Sequence, residues 1–139
     1  MMDEAITAFL TKHHLLTLCT CKANIPYAAS CFYAFRKESA TFVIATDVTK
    51  TRHGLEAVEN EHVAGSVALE TKMVGKIQGV QFTGRFREAN EAEKKAYLKR
   101  FPYAIAMSPE LWSIEIQYLK FTNNTLGFGK KLEFFRSTF

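Results

Sequence analysis

Thr41-Phe42-Val43-Ile44-Ala45-Thr46-Asp47-Val48-Thr49-Lys50-Thr51-Arg52-His53-Gly54-Leu55-Glu56-Ala57-Val58 joins two kinds of backbone in one short stretch. Thr41 to Ala45 is apolar and β-branched, and reads as a strand. Leu55 and Val58 lie three apart, the spacing of a helix face. Between them stand three threonines, a lysine, an arginine and a histidine. A strand leading through hydroxyl and basic side chains into a helix start makes a phosphate cradle. The first N–H groups of a helix lack internal partners, and the helix dipole is positive there. Lys50 would add a point charge, and Arg52 a planar fork. The same residues also read as a solvated loop with an N-cap at Thr49 or Thr51, since no glycine-rich motif accompanies them. Such a loop contributes little to stability, so losing either charge should leave the fold intact.

On the N-terminal side, Asp3 can cap a helix over residues 3–12, with Ile6, Phe9 and Leu10 on one face. Leu15 to Lys22 reads as a strand and Tyr27 to Arg36 as its hairpin return. Ala23-Asn24-Ile25-Pro26 is the turn, because proline cannot donate within a central ladder. On the C-terminal side the helix from Arg52 ends near Asn60, and His62 to Glu70 is a fourth strand. Ile77 to Arg87 is a long fifth strand in which Val80, Phe82, Gly84 and Phe86 alternate with polar residues. Gly79 and Gly84 mark a bulge or a close approach. Asn90 and Glu93 form a capping box for a helix running to Arg100. Trp112 to Tyr118 is a sixth strand and Leu132 to Phe135 a short last one, with turns at Asn123-Asn124 and Gly127-Phe128-Gly129. Strands in hairpins with three short helices argue for one mainly β domain over residues 1–139, a small antiparallel barrel of six or seven strands.

The composition permits this. The chain has 139 residues, 47% hydrophobic and 23% charged, enough to bury a core without staples. A net charge of +4 is spread along the sequence, so nucleic acid is not the expected partner. No stretch reaches the length of an apolar membrane span, and no signal peptide is visible, so the chain reads as cytoplasmic. Cys19, Cys21 and Cys31 do not form a disulfide framework, and the four histidines show no metal-ligand spacing.

The order of these motifs resembles the flavin-binding split β-barrel family related to pyridoxamine 5′-phosphate oxidase, and within it the small YhbP-like bacterial branch. The likeness rests on three places: Phe42 to Thr46 with Lys50-Thr51-Arg52, the strand Ile77 to Arg85, and Trp112 to Tyr118 followed by Thr122 to Gly129. The resemblance implies a homodimer holding flavin mononucleotide (FMN) in grooves between subunits. It places the FMN phosphate on Lys50, Thr51 and Arg52. It places Ala45, Thr46, Gln78, Gly79 and Gln81 along the flavin ring; Trp112 reads as a contact to the flavin or the partner subunit, or equally as plain core or interface. Glutamine amides suit the donors and acceptors of the ring edge, and a glycine would let the ring lie on backbone. The arginine–histidine substrate motif of the oxidases has no counterpart here. Two readings therefore stand: a flavin-dependent oxidoreductase acting on an unidentified small molecule, and a non-catalytic module that binds flavin, haem or a deazaflavin. No general acid or base can be named.

Overall fold

The computed structural model describes residues 2–127 and 130–137. Phe128 and Gly129 of the expected C-terminal turn lie outside them. The elements are α1 (Glu4–Lys12), β1 (Leu15–Lys22), β2 (Ile25–Arg36), β3 (Thr41–Ala45), α2 (Arg52–Glu59), β4 (His62–Ala68), β5 (Gln78–Glu88), α3 (Glu91–Arg100), β6 (Leu111–Asn123) and β7 (Lys131–Phe135). Short 3-10 turns cover Val74–Lys76, Pro102–Met107 and Asn124–Leu126. No described helix is long and apolar enough to cross a membrane.

The strands form one antiparallel sheet in the order β3-β2-β1-β4-β5-β6-β7. β3 also pairs with β6, which closes six strands into a barrel and leaves β7 as an extension. This is the mainly β, six- to seven-stranded architecture expected from the sequence. Alternate residues fill the interior: Leu16 and Leu18 from β1, Tyr33 from β2, Phe42 and Ile44 from β3, Phe82 from β5. α1 stoppers one end with Ile6, Phe9 and Leu10, and Tyr33 Oη donates to the Leu10 carbonyl at 2.7 Å. A second, smaller core lies outside the barrel, where Ala34, Val43 and Leu111 meet Tyr97 and Phe101 of α3 and its end.

β6 changes partners along its length. Leu111 to Glu115 pairs with β3, whereas Tyr118 to Thr122 pairs with β7. Arg136 fills the fork between them. Its Nε donates to the Ile116 carbonyl at 2.7 Å, and its Nη2 to the Ser39 and Ala40 carbonyls at 2.7 and 2.8 Å.

Three expectations need correction. Pro26 lies inside β2, opposite Cys21, and the turn is only Ala23-Asn24, both in the left-handed region. Proline is tolerated there because this end of β2 pairs with β1 alone; β3 joins β2 only from Tyr33 onward. β6 runs to Asn123 rather than Tyr118. A bulge beside Thr83 and Gly84 shifts the register, so Leu119 and Phe121 replace Tyr118 on the inner face. Finally, Leu55 and Val58 face outward, 46% and 53% exposed; α2 packs through Gly54, Glu56 and Ala57.

Candidate functional site

β3 delivers its last residue, Ala45, against Leu111 of β6, and the Thr46 N–H is tied to the Glu110 carbonyl at 3.1 Å. Asp47 then turns the chain. Its carboxylate accepts from the Thr49 N–H at 2.8 Å and the Thr49 hydroxyl at 2.7 Å, bonds that hold it below the usual carboxylate range. Its carbonyl accepts from the Lys50 and Thr51 N–H groups. Of the two N-cap candidates, Thr51 is the cap: its Oγ1 accepts from the Gly54 N–H at 3.1 Å and donates to the Asp47 carbonyl at 2.8 Å. Gly54 makes this fold-back feasible. A Cβ there would sit 2.6 Å from Thr51 Oγ1 and 2.8 Å from Val48 Cα.

The side chains of Thr46, Thr51 and His53 meet over this turn. Thr46 Oγ1 is 2.8 Å from His53 Nε2 and 3.3 Å from Thr51 Oγ1. Burial pushes the His53 pKa down, which favours a neutral ring. The N–H groups of Arg52 and His53, the first two of α2, have no partner among the described residues. Two open backbone donors, two hydroxyls and an imidazole thus converge where the helix dipole is positive. Lys50 is exposed and 4.0 Å from the Asp47 carboxylate. That carboxylate opposes an anion there.

Arg52 is not the free fork that its position in the sequence suggests. Its Nε donates to Glu56 Oε2 at 2.9 Å, and its guanidinium carbon lies 4.1 Å over the Tyr27 ring. Glu56 is itself buried and accepts from Thr20 of β1 at 2.8 Å. The Arg52 bond, then that from Thr20, hold the Glu56 carboxyl below its usual range. Arg52 therefore joins the loop to the barrel wall through a half-exposed pair, so its loss removes a contact as well as a charge. Its remaining edge is still available to a ligand.

Trp112 belongs to the same end of the barrel. It pairs with Ile44 of β3 and Glu88 of β5, stacks on Phe86 at 4.9 Å between ring centroids, and donates from Nε1 to Glu110 at 2.9 Å. An open cleft of about 530 Å3 borders it.

Gln78, Gly79 and Gln81 lie elsewhere. They occupy the start of β5, where Gln78 pairs with Asn123 at the far end of β6, whereas Ala45 pairs with Leu111 at its beginning. The stretch of β6 between the two is roughly 35–40 Å long. Gln81 is exposed on the outer face. The space that a side chain at Gly79 would take is already bounded by the Val67 carbonyl, 3.0 Å from a built Cβ, so this glycine serves strand packing. One chain thus assembles Ala45, Thr46, Lys50, Thr51, Arg52 and Trp112 at one end and holds the two glutamines apart. His53, which joins this cluster, is absent from the residues expected there. Its place two residues after the N-cap puts it in the first turn, which is the signal that could have found it.

No family model matches the chain. It is 42% identical over 138 residues to the UPF0306 protein of Cronobacter sakazakii, covering 96% of this chain and 95% of that one. It is 41% identical to the UPF0306 protein YhbP of Escherichia fergusonii, with 96% and 93% covered. Among solved structures it is similar to a heme binding protein from Mycobacterium smegmatis, with TM-score 0.75 and 14% identity over 97% of this chain, though only 59% of that one. A FAD-binding protein from Mesorhizobium loti superposes with TM-score 0.69 and 15% identity, covering 86% of this chain and 92% of that one. A putative pyridoxamine 5′-phosphate oxidase from Listeria innocua does so with TM-score 0.66 and 15% identity, covering 86% and 97%. At such identities the superpositions speak to the fold, which is that of the pyridoxamine 5′-phosphate oxidase-like split barrels. The sequence relatives go further: the chain belongs to the UPF0306 family, the group that includes YhbP.

Proposed function

We infer that the protein binds FMN, with the phosphate over the turn into α2, and that it acts as a flavin-dependent oxidoreductase on a small molecule. The observation that carries this reading is the cradle itself. Open N–H groups of Arg52 and His53, hydroxyls of Thr46 and Thr51, and the charges of Lys50 and Arg52 converge where a dianion is favoured. The fold supports it, since one structural neighbour is described as FAD-binding and another as a putative pyridoxamine 5′-phosphate oxidase. FMN, when bound, would supply two-electron redox chemistry. The residues of this chain would anchor the phosphate, orient the ring and limit access to it. Ala45 and Thr46, held against β6, set where the ring can begin. Gln78 and Gln81 can reach the same ligand only from a second copy, so the reading includes a homodimer.

The test is the visible spectrum of freshly purified protein, with mass spectrometry of whatever denaturation releases. The reading expects flavin absorption, released FMN, and a melting temperature raised by FMN more than by riboflavin. A colourless protein that FMN does not stabilise refutes it. A haem spectrum would point instead to the ligand named for the mycobacterial neighbour. Flavin that binds but is never reduced by nicotinamides would leave a non-catalytic binding module.

A further inference from the structure

The cleft beside Trp112 has a chemistry that the flavin reading does not use. Its volume is about 530 Å3, within the range of small-molecule sites. Leu98 of α3, Ile105 of the following turn and the Trp112 ring give it apolar walls. Ser108, also on the cleft, ends that turn in the left-handed region, at φ 44°. Backbone strain in a residue other than glycine is held only where the surroundings enforce it.

The charges are unevenly placed. Glu88 pairs with Trp112 across the β5–β6 ladder, so the two side chains stand on one face. Its backbone carbonyl accepts from Arg87, and its carboxylate has no partner among the described residues. Glu110 accepts from Trp112 Nε1 at 2.9 Å, which fixes the indole and leaves other lone pairs of the carboxylate open. The one cation on the wall, Lys94, is drawn toward Glu91 at 3.5 Å. An indole, two carboxylates with spare acceptor capacity and apolar walls select one ligand class. A cationic head is attracted by both carboxylates, and an organic body fills the apolar part.

We propose that this cleft is a binding site for an organic amine, a monocation with an aromatic or branched apolar body. The proposal does not depend on flavin. A colourless protein that binds amines here would refute the flavin reading and keep this one.

Trp112 is the only tryptophan, so its emission reports the cleft directly. The experiment titrates full-length protein, as purified and again after adding FMN, with benzylamine, benzyl alcohol and benzoate at fixed salt. Binding constants are read from emission and checked by calorimetry. The expected result is saturable binding of benzylamine, at least about tenfold weaker binding of benzyl alcohol, and none of benzoate. Glu88→Gln should weaken benzylamine several-fold and leave benzyl alcohol unchanged. Because it leaves the Trp112–Glu110 bond intact, it serves where Glu110→Gln disturbs the indole. Equal affinity for benzylamine and benzyl alcohol, preference for benzoate, no saturable binding, or Glu88→Gln without effect would each overturn the proposal.

Discussion

Glu93 shows how one side chain can tie three elements together. It sits fully buried at the third position of α3. Arg87 donates to both of its oxygens, at 2.8 and 2.9 Å; the Asn90 N–H and the Ser113 hydroxyl donate at 2.9 and 3.0 Å, and the Ser39 hydroxyl at 3.4 Å. Burial alone would raise its pKa, but the Arg87 bonds, with those from Asn90 and Ser113, outweigh it and bring the value from 4.5 to about 2. A carboxyl whose folded pKa is depressed adds stability that is present above its unfolded value and lost as pH falls through the folded one. The contribution of Glu93 should therefore be whole above about pH 4.5 and gone near pH 2. Glu93→Ala, which leaves Arg87 with Glu115 alone as its ion partner, should cost about 1.5–3 kcal/mol at neutral pH. Urea unfolding of wild type and Glu93→Gln at several pH values checks the sign: their difference must shrink on acidification, and a constant difference would refute the assignment. His53 carries a second prediction. Burial lowers its pKa, so the ring is neutral without ligand, and a bound phosphate should draw a proton onto it. Lowering the pH from 8 to 6 should then raise FMN affinity of wild type relative to His53→Gln, in which the position cannot titrate. Taking that ratio cancels the protonation of FMN itself. A ratio independent of pH would remove His53 from the phosphate site.

Among the elements, the joint between β3, β6 and β7 explains both a prediction and a limit of sequence reading. Arg136 spans three carbonyls in the fork that opens where β6 leaves β3. Arg136→Ala should lower stability by about 2–3 kcal/mol, the scale of a lost charged hydrogen-bond set. Arg136→Lys should recover little, since an ammonium lacks the planar reach. Urea midpoints at unchanged slope would measure this; a midpoint equal to wild type would show that the barrel closes without the strap. None of it was legible beforehand. Hydrophobic alternation reports which face of a strand is buried, and so β1, β3 and β5 were legible nearly to the residue. Alternation cannot report that β6 carries a bulge, and so its second half was lost. It cannot report which of two turn residues precedes an edge-tolerant proline either. The capping box at Asn90 was legible because both partners lie within one helical turn. The pairing of Arg52 with Glu56 and Tyr27 was hidden because Tyr27 comes from another strand, and the exposure of Leu55 and Val58 ran against the ordinary meaning of helix periodicity. The cradle was legible in its residue types, while its distance from the glutamines of β5 depended on which end of β6 each strand meets.

At the scale of the whole molecule, the separation of the two halves of the proposed site becomes a testable statement. Roughly 35–40 Å of strand lies between the start of β5 and the α2 turn within one chain, since the two meet opposite ends of β6. Apolar side chains stand exposed beside each: Leu55 and Val58 on α2, and Met73, Val74 and Ile77 just before Gln78. A two-fold dimer that covered these groups would bring the cradle of one chain to the β5 start of the other, twice by symmetry. Arg52→Ala and Gln81→Ala should each weaken FMN. For Arg52 the loss should be about 1.5–3 kcal/mol, some ten- to a hundred-fold, and for Lys50→Ala less. The decisive experiment coexpresses the Arg52→Ala and Gln81→Ala chains together. If each site draws on both chains, every mixed dimer contains one doubly altered site and one fully wild-type site. Random pairing then restores about one quarter of the tight FMN sites. If each site lies within one chain, every site carries one substitution and no tight binding returns. Tight binding counted by flavin absorbance after gel filtration distinguishes the two, and light scattering at micromolar protein supplies the mass. A monomer mass, or no recovery on coexpression, would refute the shared groove and leave Gln78 and Gln81 as ordinary polar residues of a barrel edge.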